Sequence, residues 1–292
     1  MENVLQMMDI DASPTTRGIV AYWQQSRRFD ALKLLCQLTR SVQQHRGATM
    51  AYLSGDEAFG ALILQSQQHI QSALQILAAL ERSGSLFVRP GVLANLNMDW
   101  KTIAIGWHDD QIMHNFEFHC HLVDNLKRSI LESLQRLREM VATRRQQAVP
   151  ATVEKFMGLM FENIESLAML RGLSISAAVI RACGSDSHAR LAYQLKEISR
   201  RNDALLALIG QLGLHYQALP VVRMFRDQQL GLHKLLVSIR MMILEEQAID
   251  VDSQALYRLA TDIIDAHWLI FDHGIYALER VISQQVIADY GV

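Results

Sequence analysis

The 292-residue sequence predicts an all-α fold, a bundle of seven or eight mostly long helices that contains an internal helical-hairpin repeat. Three observations lead there. Apolar side chains recur at three- and four-residue spacing nearly throughout, whereas strand-like alternation is scarce. Half of the residues are hydrophobic, enough for one large helical core. The prolines Pro14, Pro90, Pro150 and Pro220 are far apart, and no Gly/Ser-rich or charge-rich linker divides the chain. We therefore expect residues 1–13 to form a tail and residues 14–292 one helical domain.

Ser13-Pro14 predicts the first helix start, since Ser caps well and Pro suits the first helical position; the periodicity runs on to about Ser54. Gly55 can end that helix in a left-handed conformation, and Ser54 with Glu57 has the capping-box pattern for a second helix reaching about Arg82. Ser83-Gly84-Ser85 and Arg89-Pro90-Gly91 mark a loop, after which Asp99 is expected to cap a long segment to about Gln147. Pro150 predicts a fresh helix ending near Gly184, and Ser185-Asp186 the next, to about Leu212. A helix from about Pro220 to Gln247 and another from Asp252 to about Val286 complete the set.

The first helix contains QQHRGATMAYLSGDEAFGALILQ and the helix after Pro150 contains AMLRGLSISAAVIRACGSDSHARLAYQ. Both run Arg-Gly, a hydroxyl residue, a small residue, Gly, an acidic residue, then a new amphipathic helix. Arg46-Gly47 and Arg171-Gly172 lie 125 residues apart, and Gly55 and Gly184 lie 129 apart. The difference is about one helical turn, so two copies of one unit can keep their faces in register.

The apolar stripe of the first copy reads Ala31, Leu35, Leu38, Val42, Arg46, Met50, Leu53; that of the second reads Met160, Ile164, Leu167, Arg171, Ile175, Ala178. Each stripe carries one arginine. A guanidinium among apolar groups has a desolvation cost of several kcal/mol unless something negative meets it. No Asp or Glu stands three or four residues from either arginine on its own helix, but a hydroxyl does at i+3, Thr49 and Ser174. Packed face to face, two planar forks and two hydroxyls would converge on a site suited to a small planar oxyanion. Gly47 and Gly172, costly in a helix interior, suggest close approach of the two helices there. The competing expectation is that each arginine meets a carboxylate on another helix or snorkels at the rim.

The segments HRGATMAYLSG and MLRGLSISAAVIRACG resemble the two motif regions of the nitrate- and nitrite-sensing (NIT) domain, an all-helical bacterial module, over a span from about Arg28 to the last helix. The resemblance implies that Arg46 and Arg171, one from each helix, bind nitrate or nitrite. His45 and Leu170 stand before the two arginines, where the family motif usually has Glu before the first. Such modules are commonly joined to an output element, and none is visible here. The expected role is thus a regulator in bacterial signal transduction that reports through a homodimer or a separate output protein.

Other features point away from different functions. Twenty-eight basic and thirty acidic residues give a formal charge of -2, so no overall positive field draws the chain to nucleic acid or anionic membrane. Arg136, Arg138, Arg144 and Arg145 gather near a helix end, where the dipole favours them, without interleaved aromatics. Cys36, Cys120 and Cys183 form no C-x-x-C pair, and no signal-peptide pattern or long uncharged apolar run appears, so a reducing, cytoplasmic setting is expected. WHDDQIMHNFEFHCHLVDN gathers His108, Asp109, Asp110, His114, Glu117, His119 and His121, but without H-E-x-x-H or paired E-x-x-H spacing. We expect no metal and no cofactor. Methionines such as Met157, Met160 and Met169 suit adaptable core packing, and no nucleophile–base triad or phosphate loop stands out, so an enzyme is not expected. The alternatives to an anion sensor are a helical scaffold whose arginines are structural, and a ferritin-like metal protein.

Overall fold

Forty residues of unbroken helix, α1 (Pro14–Leu53), begin the structure, a computed structural model that describes residues 14–82, 84, 88–142, 151–211, 220–246 and 248–290. A single 3-10 turn (Glu57–Phe59) leads into α2 (Gly60–Arg82), followed by α3 (Val92–Gly106), α4 (Ile112–Ala142), α5 (Ala151–Ile180) and α6 (Ser185–Gln211). The shorter α7 (Pro220–Asp227) and α8 (Gln229–Ile239) run into a π-helical turn (Arg240–Glu245), and α9 (Ser253–Tyr290) closes the chain. Among the described residues there is no strand, and the architecture is an all-α helical bundle.

Two helices sit at its centre. Helix α1 packs on α2, α4, α5 and α9, while α5 packs on α1, α6 and α9. Both are buried nearly all round in their second halves, as a helix with neighbours on every side must be. The two sequence stripes lie in the core: Ala31, Leu35, Leu38, Val42, Met50, Met160, Ile164, Leu167, Ile175 and Ala178 are all buried. The stretch Glu154–Ile180 is long and apolar enough to cross a membrane, but 83% of its apolar window is buried inside the fold, as expected of a central core helix.

Both central helices end alike. At the end of α1, Gly55 takes φ +115° and the Asp56 N–H reaches back to Ala51 O; at the end of α5, Arg181 takes φ +57° and the Ala182 N–H reaches back to Ala177 O. These are Schellman-type closures. The left-handed residue of the second copy is therefore Arg181, not Gly184. The extra residues expected to add a helical turn lie mostly in the connection before α6.

Three other expectations are corrected. Ser54 does not cap a second helix: still inside the last turn of α1, it bonds back to Met50 O at 2.7 Å and pairs with Ser176 Oγ at 2.7 Å. Asp56 caps instead, accepting from the Ala58 N–H at 3.2 Å and, through its other oxygen, from Ser253 Oγ at 2.8 Å, which ties this turn to the start of α9. Asp99 caps nothing; it sits within α3 and accepts from Asn125 Nδ2 on α4 at 2.7 Å, while the break expected there falls after Gly106. The helix expected from Pro220 to Gln247 is interrupted at Gln228 and ends in the π-helical turn. Residues 1–13, Pro150, Arg144 and Arg145 lie outside the described residues.

Candidate functional site

Helices α1 and α5 cross where their glycines face each other. A Cβ on Gly172 would sit 4.0 Å from Gly47 Cα and 2.7 Å from Met50 Sδ, and one on Gly47 would sit 3.2 Å from Arg171 Nε. The contacts rise together along both helices, from Gln43 with Glu165, through Gly47 with Gly172, to Ser54 with Ser176. The two repeat copies are therefore parallel here, and each presents its arginine to the other.

Arg46 is fully buried and is met by a carboxylate. Its Nη1 donates to Glu165 Oε1 at 2.6 Å and its Nη2 to Glu165 Oε2 at 3.1 Å, a two-pronged pair. Nη1 also donates to Cys120 Sγ at 3.2 Å, and the guanidinium lies 5.4 Å from the Phe116 ring centre. Burial alone would loosen the Arg46 proton, but Glu165 and Cys120 reverse this and raise its pKa. Burial pushes the Cys120 thiol up to about 12, against the pull of Arg46. Helix α1 indeed holds no acidic residue one turn from Arg46; the partner comes from the other copy, across the helix crossing.

Arg171 is equally buried and differs in its surroundings. Its Nη1 donates to Thr261 Oγ1 at 2.9 Å and its Nη2 to the backbone oxygen of Gln43 at 2.8 Å, with the Tyr257 ring centre 4.8 Å from the guanidinium carbon. All of these partners are neutral. Among the described residues no carboxylate bonds to Arg171, and both its Nε and the Tyr257 hydroxyl are buried without a partner. Asp265 feels the Arg171 charge at longer range, but burial dominates and raises its pKa.

The two hydroxyls do not converge between the arginines. Thr49 Oγ1 lies 2.8 Å from Asn115 Oδ1 and close to its own helix backbone at His45 and Arg46, and Ser174 Oγ donates back to Arg171 O at 3.1 Å. Gln43 takes the linking role the sequence reading missed. Its Nε2 donates to Glu165 Oε2 at 2.7 Å, its Oε1 accepts from Trp268 Nε1 at 3.1 Å, and its backbone oxygen receives Arg171. One residue thus joins both arginines to α9.

On the other side of Arg46, His45 and His119 form a buried pair, Nδ1 to Nε2 at 2.7 Å. His119 Nδ1 donates to Asn115 O at 2.7 Å, so its Nε2 is the acceptor and His45 Nδ1 the donor. His45 also lies edge-on to Trp100 and Trp107. Burial lowers the His45 pKa to about 3, and burial followed by the neighbouring His45 lowers that of His119. Both rings are neutral at physiological pH. His108, His114 and His121 are exposed, and among the described residues no three His, Cys, Asp or Glu side chains are placed to share a metal ion.

No family model matches this chain, and neither does any curated protein or solved structure.

Proposed function

We propose that the protein is a non-enzymatic sensor of a small planar oxyanion, nitrate or nitrite, bound at the α1–α5 crossing. The observation that carries the reading is Arg171: a guanidinium 1% exposed whose hydrogen-bond partners among the described residues are all neutral, with an unpartnered Nε beside Gly47. A buried cation of this kind is expensive, and an anion held by it would gain a charge-assisted bond in a low-dielectric site. The repeat-equivalent Arg46, buried on the facing helix, supplies the second fork. The resemblance of both motif regions to the nitrate- and nitrite-sensing family supports nitrate or nitrite as the anion. Binding there would bias how α1 and α5 pack, and Gln43 offers a route from the site to Trp268 on α9. The response would then pass to a second copy or to a separate output protein.

The bond between Arg46 and Glu165 favours a second reading, a helical scaffold in which the arginines are structural. Calorimetric titration separates the two. A sensor gives saturable heat with nitrate or nitrite and none with chloride; a scaffold gives none with any of the three. In the sensor, Arg171→Ala abolishes the heat while the helical circular dichroism stays intact.

A further inference from the structure

We infer that Glu165 is a built-in occupant of the anion site, a tethered carboxylate that holds the Arg46 fork in the unliganded protein and that an incoming anion must displace. The inference rests on the anion-sensing reading of the same crossing and adds to it the residue that sets affinity and selects the class of ligand.

The geometry is that of a bound planar anion. Two coplanar oxygens on one carbon meet two nitrogens of one guanidinium at 2.6 Å and 3.1 Å, and the second oxygen accepts a further bond from Gln43 Nε2. Nitrate, nitrite and formate each offer two such oxygens at similar separation; chloride offers one centre and cannot span the fork. The site is thus shaped to a template the chain itself supplies. The repeat makes this occupancy one-sided. The position in the first copy that corresponds to Glu165 is Arg40, and Arg40 is engaged by Asp272. Among the described residues, then, Arg46 is bonded to a carboxylate and Arg171 is not.

The filled fork makes the exchange one for one. With Glu165 in place, Arg46 has a bonded counter-charge, whereas among the described residues Arg171 has none. Glu165 fills both prongs of the Arg46 fork, so an anion takes that fork only when the Glu165 carboxylate, whose side chain is 9% exposed, turns out of it toward solvent. Leaving it also breaks the Gln43–Glu165 bond, and Gln43 is the residue that holds Trp268. Displacement of Glu165 is therefore the step at which binding is felt at α9.

The test compares wild type with Glu165→Ala, which vacates the carboxylate's volume, and Glu165→Asp, which keeps the charge but shortens its reach. Nitrate, formate and chloride are titrated at matched ionic strength, with melting temperature and Trp fluorescence as readouts. The expected result is nitrate binding at least tenfold tighter in Glu165→Ala and severalfold tighter in Glu165→Asp, with formate following nitrate and chloride far behind. If wild type binds nitrate and both variants bind equally or more weakly, Glu165 is not an occupant, and the sensor reading survives without it. If only the variants bind, the occupant is established and nitrate sensing by the native chain is overturned. If none binds, both fall. Should Glu165→Ala not fold in any of the three salts, Glu165→Asp decides by the same criterion.

Discussion

Replacing Arg46 by methionine would strand the Glu165 carboxylate in the core, and breaking a buried pair in this way costs about 3–5 kcal/mol. The same change at Arg171 strands no bonded carboxylate. Gln43 O retains its helical role, and the loss is two hydrogen bonds from the guanidinium to neutral oxygens, about 1.5–3 kcal/mol each, offset by removal of a costly buried charge. Urea denaturation in the absence of added anion should therefore find Arg46→Met much less stable than Arg171→Met; equal losses would contradict the unequal charge states of the two sites. Both arginines were legible in the sequence, because each interrupts an apolar stripe at helical spacing. Glu165 was not, because a search one turn either way along a helix cannot see a carboxylate supplied by another helix 119 residues on. Its signal was weaker: an acidic residue in the apolar run of α5, a helix with little exposed face to put it on. Thr49 and Ser174 do not converge between the arginines for a related reason. A hydroxyl within a helix has a backbone oxygen in reach and bonds back to it unless something better approaches.

At the scale of elements, the crossing of α1 and α5 depends on the absence of two side chains. A methyl on Gly47 would press on Arg171 Nε at 3.2 Å, and one on Gly172 would meet Met50 Sδ at 2.7 Å. Met50 is a flexible chain end that can turn away, whereas Arg171 is pinned by Thr261 and Gln43. Gly172→Ala is accordingly expected to change stability by less than about 1 kcal/mol, the helix-propensity gain offsetting the repacking. Gly47→Ala should displace Arg171 and weaken nitrate binding at least tenfold by calorimetry, even where the melting temperature is little changed. Unaltered affinity in Gly47→Ala would remove the crossing from the site. The repeat itself was readable, since Arg-Gly recurs in matching stripes. Where each copy ends was not. Glycine is the usual signal for a left-handed closure, but Arg181 adopts that conformation with Gly184 three residues away. The 182–184 connection absorbs most of the difference in length between copies.

The whole molecule carries a second set of buried groups whose behaviour is set by pH. Burial lowers the pKa of His45, His119 and His267, the first from 6.5 to about 3. A histidine depressed in the folded state contributes stability that is fully present above its unfolded pKa and is lost as pH falls through the window from about 6.5 toward its folded value. Unfolding takes up protons there, at about 1.4 kcal/mol per pH unit for each fully titrating site. Stability should thus fall between pH 7 and pH 5, and His45→Phe should make that fall shallower. An unchanged slope in the variant would mean that burial does not depress the His45 pKa. None of this is visible in the sequence, where His119 is one of several histidines gathered in a single segment; burial separates His45 and His119 from His108, His114 and His121.

The central claim is that the α1–α5 crossing binds a planar oxyanion through Arg171 and Arg46, and the most direct measurement is the melting temperature of wild type and Arg171→Met in nitrate and in chloride at matched ionic strength. An anion that binds only the folded state stabilises it by about 2.7 kcal/mol at a hundredfold excess over Kd. That amounts to several degrees for a chain of this size, at about 2–4 °C per kcal/mol for somewhat smaller domains. The expected result is a rise in nitrate beyond that in chloride for wild type, and no difference between the salts for Arg171→Met. Equal shifts in the two salts for wild type would contradict the account.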